Sequence, residues 1–268
     1  MGLTFILGLL VASSLVIACA DHLSKRSDEV VEGAERSWLY VSANDWGRQD
    51  SRWELCHIGK QQSPVAILST HSLAANASVS WSYTAISGNY SNWGYGPTFT
   101  VDTAQNKSAT FSFETSAKGP ETVYFAGWHT HTPSEHTVDG VRSQAELHFV
   151  HTKADGTPRA VVAFRIRAGG KASEFIEQLP PYHGYMSADK VKDVEIDLGL
   201  AMEEVGGFEH FWSYDGSLTS PPCTEGKRWF LAREELEVSD DQMVDLLKAS
   251  TYSARPLNDV WRHGIEEL

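Results

Sequence analysis

The sequence predicts a mainly β protein of the α+β class, a single domain around a large, mostly antiparallel central sheet with a few short peripheral helices. Three observations predict this fold. Short runs with alternating apolar residues follow one another between residues 98 and 167, turn-forming segments separate these runs, and strong helical patterns are few. The 268 residues, 41% of them apolar, can bury a full core, and no repeat or flexible linker divides the chain after residue 37.

Apolar–polar alternation predicts five strands. They are Thr98–Val101, Ala109–Phe113, Thr122–Thr132, Ala145–Thr152 and Ala160–Arg167. Turn-forming sequences such as Asp139-Gly140 lie between the strands and favour antiparallel pairing of neighbours.

Helical signals are few. The clearest helix is predicted over Asp240–Lys248, because Ser239 precedes it and Gln242 follows three residues later, the spacing of a capping box. Ser173–Leu179 is a shorter candidate.

The N-terminal 20 residues carry no charge and end in the small-residue triplet Ala18-Cys19-Ala20. This pattern predicts a signal peptide cleaved after Ala20, so that the mature chain has no integral membrane segment and is secreted or lies in the lumen of the secretory pathway. The alternatives are a retained membrane anchor and a lipoprotein box at Cys19, which would give a periplasmic or surface-anchored lipoprotein. Residues 21–36 are charged, without apolar periodicity, and are predicted to be a flexible leader to a domain over 37–268.

The net charge of −13 at pH 7 argues against two classes of partner. A nucleic-acid-binding protein needs a basic face that displaces counterions, and a protein that docks on anionic lipid needs one as well. The acidity says little else, because net charge bears on solubility and partners and not on the fold.

Cysteines and sequons agree with a secretory route. Loss of the signal peptide would leave Cys56 and Cys223, and two cysteines in an oxidising compartment favour one disulfide. Sequons at Asn76, Asn89 and Asn106 exceed the roughly one expected by chance and indicate a glycoprotein.

The histidines point to a metal. His129 and His131 are two residues apart in a predicted strand and therefore share a face. If the strand over 145–152 pairs with it, His148 completes a cluster of three imidazoles, the ligand set of a catalytic zinc site with an open fourth position. The alternative is that these are core or surface histidines whose ring nitrogens form ordinary hydrogen bonds and bind no metal. His151 faces the opposite way and is excluded, and His136 in the connection is a weaker candidate.

Glu146 lies two positions before His148 and so shares its face. A carboxylate there could accept the second ring N–H of a metal-binding histidine and fix its tautomer. A salt-bridged glutamate on a polar strand face is the alternative interpretation.

Several separated motifs resemble the α-class carbonic anhydrases of the secreted, disulfide-bearing type, in that family's order and spacing. They are Trp38-Leu-Tyr40, Gln62-Ser-Pro-Val65, Trp128-His-Thr-His-Thr-Pro-Ser-Glu-His136, Glu146-Leu-His-Phe-Val-His151 and Ser213-Tyr-Asp-Gly-Ser-Leu-Thr-Ser-Pro-Pro-Cys223. The resemblance runs from about Trp38 to Pro256.

This resemblance implies reversible hydration of carbon dioxide to bicarbonate and a proton by a zinc-bound hydroxide, with esterase activity as a side reaction. It implies that Zn²⁺ is held by His129, His131 and His148. It also implies that Thr219 accepts a hydrogen bond from the hydroxide and donates one to Glu135, and that its backbone N–H helps to orient bicarbonate. It implies that Glu146 is the carboxylate that supports the third ligand, His148. It assigns the apolar wall where carbon dioxide sits to Val150, Val161, Leu218 and Trp229. It also implies that Cys56 and Cys223 form the disulfide of secreted members.

Three positions depart from the family's pattern. Tyr95 occupies the place of the usual proton-shuttling histidine, and a phenol titrates near pH 10, so we predict slower, buffer-assisted turnover. Gly127 replaces a common glutamine that supports the first ligand. Lys227 stands where a small apolar residue is usual, and we expect it to alter the pocket or its inhibitor binding.

The alternative function is a non-catalytic, carbonic-anhydrase-like binding or adhesion module. Such relatives typically lose a zinc-ligand histidine, whereas this chain keeps all three together with Glu135 and Thr219. A zinc peptidase is unsupported because the sequence has no His-Glu-x-x-His, and a serine hydrolase because it has no Gly-x-Ser-x-Gly.

Overall fold

The computed structural model describes residues 38–71, 74–75, 79–102, 107–115, 119–182, 184, 187, 189–261, 263 and 265. The predicted signal peptide, the predicted leader and the sequons at Asn76 and Asn106 lie outside the described residues. Asn89 is half-buried within a strand, opposite Thr100 of the neighbouring strand.

Short strands make up most of the regular structure. The strands are β1 (Ala66–Ile67), β2 (Ala74–Ala75), β3 (Val79–Ser82), β4 (Ala85–Asn92), β5 (Pro97–Thr100), β6 (Thr110–Thr115), β7 (Gly119–His131), β8 (Thr137–Val138), β9 (Ala145–Thr152), β10 (Pro158–Ala168), β11 (Lys190–Asp197), β12 (His210–Ser217), β13 (Glu225–Ala232) and β14 (Leu236–Val238). The α-helices are α1 (Trp46–Gln49), α2 (Leu55–Ile58), α3 (Glu174–Glu177), α4 (Gly199–Glu204) and α5 (Asp240–Lys248), and 3-10 turns lie at Tyr40–Asp45, Ser51–Trp53 and Gly206–Phe208. Along the described ranges, no helix has the length and apolar character needed to cross a membrane.

Twelve strands form one sheet in the order β11-β4-β5-β7-β9-β10-β13-β12-β2, with β14 beside β10, and β6 connecting β7 to β3. The predicted mainly β fold around one large sheet is confirmed. Most pairs are antiparallel as predicted, but β10 runs parallel to both β13 and β14, so the sheet is mixed. A parallel neighbour requires a long crossover, and the chain between β10 and β13 supplies one that includes α3, β11, α4 and β12.

All five predicted strands are present, with ends displaced by at most three residues. The helix over Asp240–Lys248 has the predicted bounds, and its capping box joins the Ser239 and Gln242 side chains to each other's backbone N–H groups. The second predicted helix is shorter than expected and spans only α3, after the Ser173 cap. It ends early because Pro180 follows Leu179, and a residue before proline is disfavoured in helical geometry.

Alternation along the central strands separates the main core from the opposite face of the sheet. The larger core contains Leu147, Phe149 and Phe164. The neighbours of Phe149 in β9, His148 and Val150, therefore point to the other side, where they are also buried. This second face holds the polar cluster described next.

Candidate metal centre

The pairing of β7 with β9 brings three histidines together. His129 lies directly opposite His148, and His131 is two residues further along β7 on the same face. The ring centroids are 4.9 Å apart for His129 and His131, 5.3 Å for His129 and His148, and 4.6 Å for His131 and His148. One nitrogen atom of each lies within 4.8 Å of the others, and all three side chains are buried. The structure thus brings together the three predicted ligands.

Hydrogen bonds fix which ring nitrogens can bind a cation. Nδ1 of His131 donates to the carbonyl oxygen of Ser253 at 2.7 Å, so Nε2 is the unprotonated nitrogen. Among the described residues, this buried Nε2 has no hydrogen-bond partner. Nε2 of His148 donates to Glu146 Oε1 at 2.7 Å, which leaves Nδ1 of His148 as its lone-pair donor.

The electrostatics keep these imidazoles neutral. Burial, followed by the proximity of His148, holds the pKa of His131 well below its usual range. Burial also lowers the pKa of His148, although Glu146 opposes this shift. Neutral, desolvated imidazoles with a buried lone pair are the donor set that zinc binds, so the residues present fit the ion that the sequence implies.

Glu146 connects the third histidine to its surroundings. Its Oε1 also accepts from Nδ1 of His136 at 2.6 Å, and its Oε2 accepts from the backbone N–H of His136 at 2.9 Å. Burial alone would raise the pKa of Glu146, but electrostatic attraction to His136 and the hydrogen bonds from the His136 and His148 rings hold it well below its usual range. The carboxylate is therefore ionised and fixes the His148 ring.

His136 and His151 lie outside the cluster. Both ring nitrogens of His136 form hydrogen bonds, Nδ1 with Glu146 and Nε2 with the Tyr214 hydroxyl at 2.7 Å. His136 therefore hydrogen-bonds to Glu146 and Tyr214, whereas the sequence suggested it as a weaker candidate for a metal ligand. His151 lies on the core face, where its Nε2 is 2.7 Å from the Tyr83 hydroxyl.

Glu135 and Thr219 form a second polar pair beside the histidines. Glu135 is fully buried and accepts hydrogen bonds from the Thr219 side chain and, at 2.9 Å, from the backbone N–H of Arg255. Its Oε2 lies 3.5 Å from His131 Nε2. Burial raises the pKa of Glu135 well above its usual range, and the two hydrogen bonds oppose that shift. A cation held by the histidines would further favour the carboxylate form.

An apolar wall borders the cluster. Val161 of β10 pairs with Val150 of β9 and with Trp229 of β13, and the Trp229 ring lies 4.9 Å from the His148 ring. Leu218, which follows β12, is buried as well. We define the apolar wall as these four side chains, the same four that the sequence assigned to a substrate pocket.

Gly216 allows the strands to approach closely beneath this wall. A β-carbon at this position would lie 2.2 Å from Ser63 Oγ, 2.7 Å from the Tyr214 ring and 2.9 Å from the Trp229 ring. Any side chain would therefore displace groups that support the site.

The positions that depart from the family pattern have distinct surroundings. Tyr95 is buried, stacks on Trp38 with ring centroids 6.0 Å apart, and lies 4.9 Å from the Tyr40 ring. The Tyr40 ring is in turn 5.9 Å from His131, so aromatic residues line this side of the cluster. Gly127 lies at a bulge of β7 and has no side chain that could hydrogen-bond to His129.

The predicted disulfide is present. Cys56 and Cys223 are joined, with their α-carbons 5.1 Å apart. The carbonyl of Cys223 accepts from Gln62 Nε2 at 3.1 Å. Because Cys223 ends the loop that carries Leu218 and Thr219, the disulfide and this hydrogen bond attach that loop to the α2 region.

Sequence reasoning missed three supporting residues: Ser253, Tyr214 and Arg255. The Arg255 guanidinium is buried and donates to the carbonyls of Ser63 at 2.8 Å and Cys56 at 3.1 Å. Its backbone contact to Glu135 spans 120 positions. No local pattern marks such contacts, because they arise only when distant segments pack together.

The comparisons with known proteins agree with this geometry. The sequence profile described as "Eukaryotic-type carbonic anhydrase" matches residues 41–266. "Alpha carbonic anhydrase 4" of Arabidopsis thaliana is 30% identical over 226 residues, which cover 80% of this chain and 77% of that protein. "Dioscorin dioA3" of Dioscorea japonica is 27% identical over 263 residues, which cover 94% and 90%. The solved α-carbonic anhydrase of Thermovibrio ammonificans, in complex with the inhibitor sulfanilamide, has a TM-score of 0.70 and 26% identity over 85% of this chain and 96% of that chain.

Proposed function

The chain belongs to the eukaryotic-type carbonic anhydrase family, and on this premise we propose that it catalyses the zinc-dependent, reversible hydration of carbon dioxide to bicarbonate and a proton. One observation carries the proposal: three buried imidazoles converge, and His131 and His148 have pKa values that keep them neutral. When bound, zinc would supply the Lewis acidity that brings the pKa of water to about 7, a value for which carbonic anhydrase is itself the standard example.

His129, His131 and His148 would hold the ion. The Ser253 carbonyl and the Glu146 carboxylate each accept one ring N–H, which directs the remaining nitrogen of His131 and of His148 to the metal. Such outer partners raise ligand basicity and hold the rings in place before the ion arrives. Gly127 provides no equivalent side chain for His129, so this ligand depends on other contacts.

Thr219 and Glu135 would orient the attacking oxygen. Because the Thr219 hydroxyl donates its proton to Glu135, it can only accept a hydrogen bond from a group on its other side. An attacking oxygen that still carries a proton satisfies this condition and is held with a lone pair directed away from Thr219. The polar pair thereby positions the nucleophile relative to carbon dioxide.

The apolar wall would position the substrate. Carbon dioxide is uncharged and has no hydrogen to donate, so the buried surfaces of Val150, Val161, Leu218 and Trp229 suit it better than a polar pocket. Bicarbonate is charged and gains nothing from these surfaces, which favours its release.

The proton must then leave the site. Tyr95 takes the position of a shuttle, but a phenol at its ordinary pKa near 10 accepts and returns protons poorly at neutral pH. We therefore propose that buffer carries the proton and limits turnover. Esterase activity would be a side reaction of the same nucleophile.

We also propose that the chain is a secreted glycoprotein whose signal peptide ends at Ala20. The disulfide supports an oxidising compartment. Mass spectrometry of the mature protein tests this directly, since it reports the N-terminal residue and the mass of glycans at Asn76, Asn89 and Asn106.

A pair of histidine variants tests the catalytic proposal. In His131→Asn we expect bound zinc and stopped-flow carbon dioxide hydration to be lost together, because a ligand is removed. His57→Asn is the matched control: His57 is exposed on α2 and should keep both properties. Normal hydration by His131→Asn, or zinc-loaded wild-type protein with no activity, would overturn the proposal.

A further inference from the structure

We propose that the ε-amino group of Lys227 is a reversible carbamate site that takes carbon dioxide. The inference rests on the proposed function in one respect only, namely that carbon dioxide is the molecule this pocket meets. It assigns a covalent role to a residue that takes no part in the hydration reaction.

Lys227 extends the apolar wall. It lies two residues before Trp229 in β13, so both side chains leave the same face of the sheet, about 7 Å apart along the strand. Trp229 contacts His148 and pairs with Val161. Opposite Lys227, the neighbouring strand carries Gly216, where Ser63 and the rings of Tyr214 and Trp229 pack closely against the backbone. Because Lys227 shares its face of the sheet with Trp229, carbon dioxide that reaches the wall is close to this amine.

The amine is buried with little polar compensation. Only 6% of the Lys227 surface is exposed. Across the described part of the chain no carboxylate offsets its charge, and its hydrogen bond to the Glu225 carbonyl is long, at 3.5 Å. A buried ammonium group in such surroundings costs far more free energy than a neutral amine.

Two cations lie near Lys227 and reinforce this effect. Arg159 is fixed by Glu121, at 3.0 Å, and by the carbonyl of Gly226, the residue next to Lys227, at 3.2 Å. Burial, then the charges of Arg159 and Lys153, lower the pKa of Lys227 to about 8. On the adjacent strand β12, Asp215 faces Arg228 at 3.4 Å and does not neutralise the lysine. An appreciable fraction of Lys227 is thus neutral and nucleophilic near pH 7 to 8.

The chemistry balances without a further reactant. The lone pair of the neutral Nζ attacks the carbon of carbon dioxide and forms an N–C bond, while one C=O π pair moves onto oxygen. The nitrogen then releases a proton to solvent, which gives a carbamate anion and H⁺. The neutral amine becomes an anion close to Arg159 and Lys153, so the product is attracted by the cations that disfavour the protonated lysine.

The experiment uses the full chain with ¹³C-labelled carbon dioxide. Carbamates are trapped by O-alkylation with a trialkyloxonium salt and located by peptide mass spectrometry, and ¹³C NMR follows the untrapped adduct. We expect the label on Lys227 in the wild-type protein and its loss in Lys227→Arg, which keeps the charge but not the nucleophile. Lys248→Arg is the control, because Lys248 is exposed and paired with Asp245 at 3.1 Å, and its replacement should leave the label unchanged.

The mapped position of the label in wild-type protein decides the proposal even if Lys227→Arg fails to fold. No label on Lys227 at saturating carbon dioxide, or equal labelling of exposed lysines, would overturn it. The same measurement on zinc-free protein separates the two proposals, because carbamate formation needs no metal. Labelled Lys227 in a protein that cannot hydrate carbon dioxide contradicts only the proposed function, whereas an active enzyme without label contradicts only the carbamate.

Discussion

Replacement of Glu146 by glutamine is the perturbation that best separates metal binding from folding. The carboxylate is fully buried and accepts three hydrogen bonds. Oε1 accepts from His148 Nε2 at 2.7 Å and from His136 Nδ1 at 2.6 Å, and Oε2 accepts from the His136 backbone N–H at 2.9 Å. Glutamine keeps the shape but turns one of the two acceptors into a donor.

The magnitude follows from these contacts. If the amide NH₂ takes the place of Oε1, it faces two imidazole N–H groups, and if it takes the place of Oε2, it faces a backbone N–H. At least one hydrogen bond to a charged acceptor is lost, which costs about 1.5–3 kcal/mol. An outer partner of a metal-binding histidine is independently worth about 10–100-fold in metal affinity, or roughly 1.4–2.7 kcal/mol. We therefore expect Glu146→Gln to bind zinc about 10–100-fold more weakly.

Zinc affinity is measured by competition with a chelator of known affinity, in the wild-type protein, in Glu146→Gln and in a control variant. The control is Glu225→Gln, because Glu225 also accepts hydrogen bonds, from the backbone N–H of Lys60, from that of Gln61 at 2.8 Å and from Gln62 Nε2 at 3.0 Å, and none of them comes from a zinc ligand. Its zinc affinity should equal that of the wild type. Unchanged affinity in Glu146→Gln, or an equal loss in Glu225→Gln, would refute the reasoning.

Three further predictions concern turnover, packing and pH. Tyr95→His should raise the hydration rate in dilute buffer, since imidazole titrates near 6.5, and an unchanged rate would count against the shuttle argument. Gly216→Ala should lower the free energy of unfolding by about 1–3 kcal/mol, because its β-carbon would lie 2.2 Å from Ser63 Oγ; an unshifted denaturant midpoint contradicts this. Burial lowers the pKa of His151 to about 3, so below about pH 6.5 only the unfolded chain gains its proton, and stability falls by ~1.4 kcal/mol per pH unit from this residue. His151→Gln should lose that part of the pH dependence, and parallel wild-type and variant curves between pH 7 and 4 would show that His151 does not contribute.

Local signals explain which elements could be predicted. β9 and α5 have the predicted bounds, because the alternating apolar residues of the strand and the capping box of the helix are both local sequence signals. β13 carried no such signal: Lys227 and Arg228 are charged yet buried, which hides the apolar pattern of that strand. Its parallel pairing with β10 depends on the crossover and not on either strand alone.

The same distinction holds at the site. The histidine cluster could be predicted because residues two apart in a strand share a face, and because one strand pairing was assumed. The support of Glu135 by Arg255 could not, because 120 positions separate the two residues and only the folded chain brings them together. Likewise, the hydrogen bond of His131 to the Ser253 carbonyl involves a backbone group that any residue could supply.

A zinc titration of metal-free protein, followed by the stopped-flow rate of carbon dioxide hydration, tests the proposed function most directly. We expect negligible activity without metal, a rate that rises in proportion to bound zinc, and saturation at one zinc ion per chain. Full activity in the absence of zinc, or no activity once zinc occupies the three histidines, would contradict the assignment of His129, His131 and His148 as the catalytic metal centre.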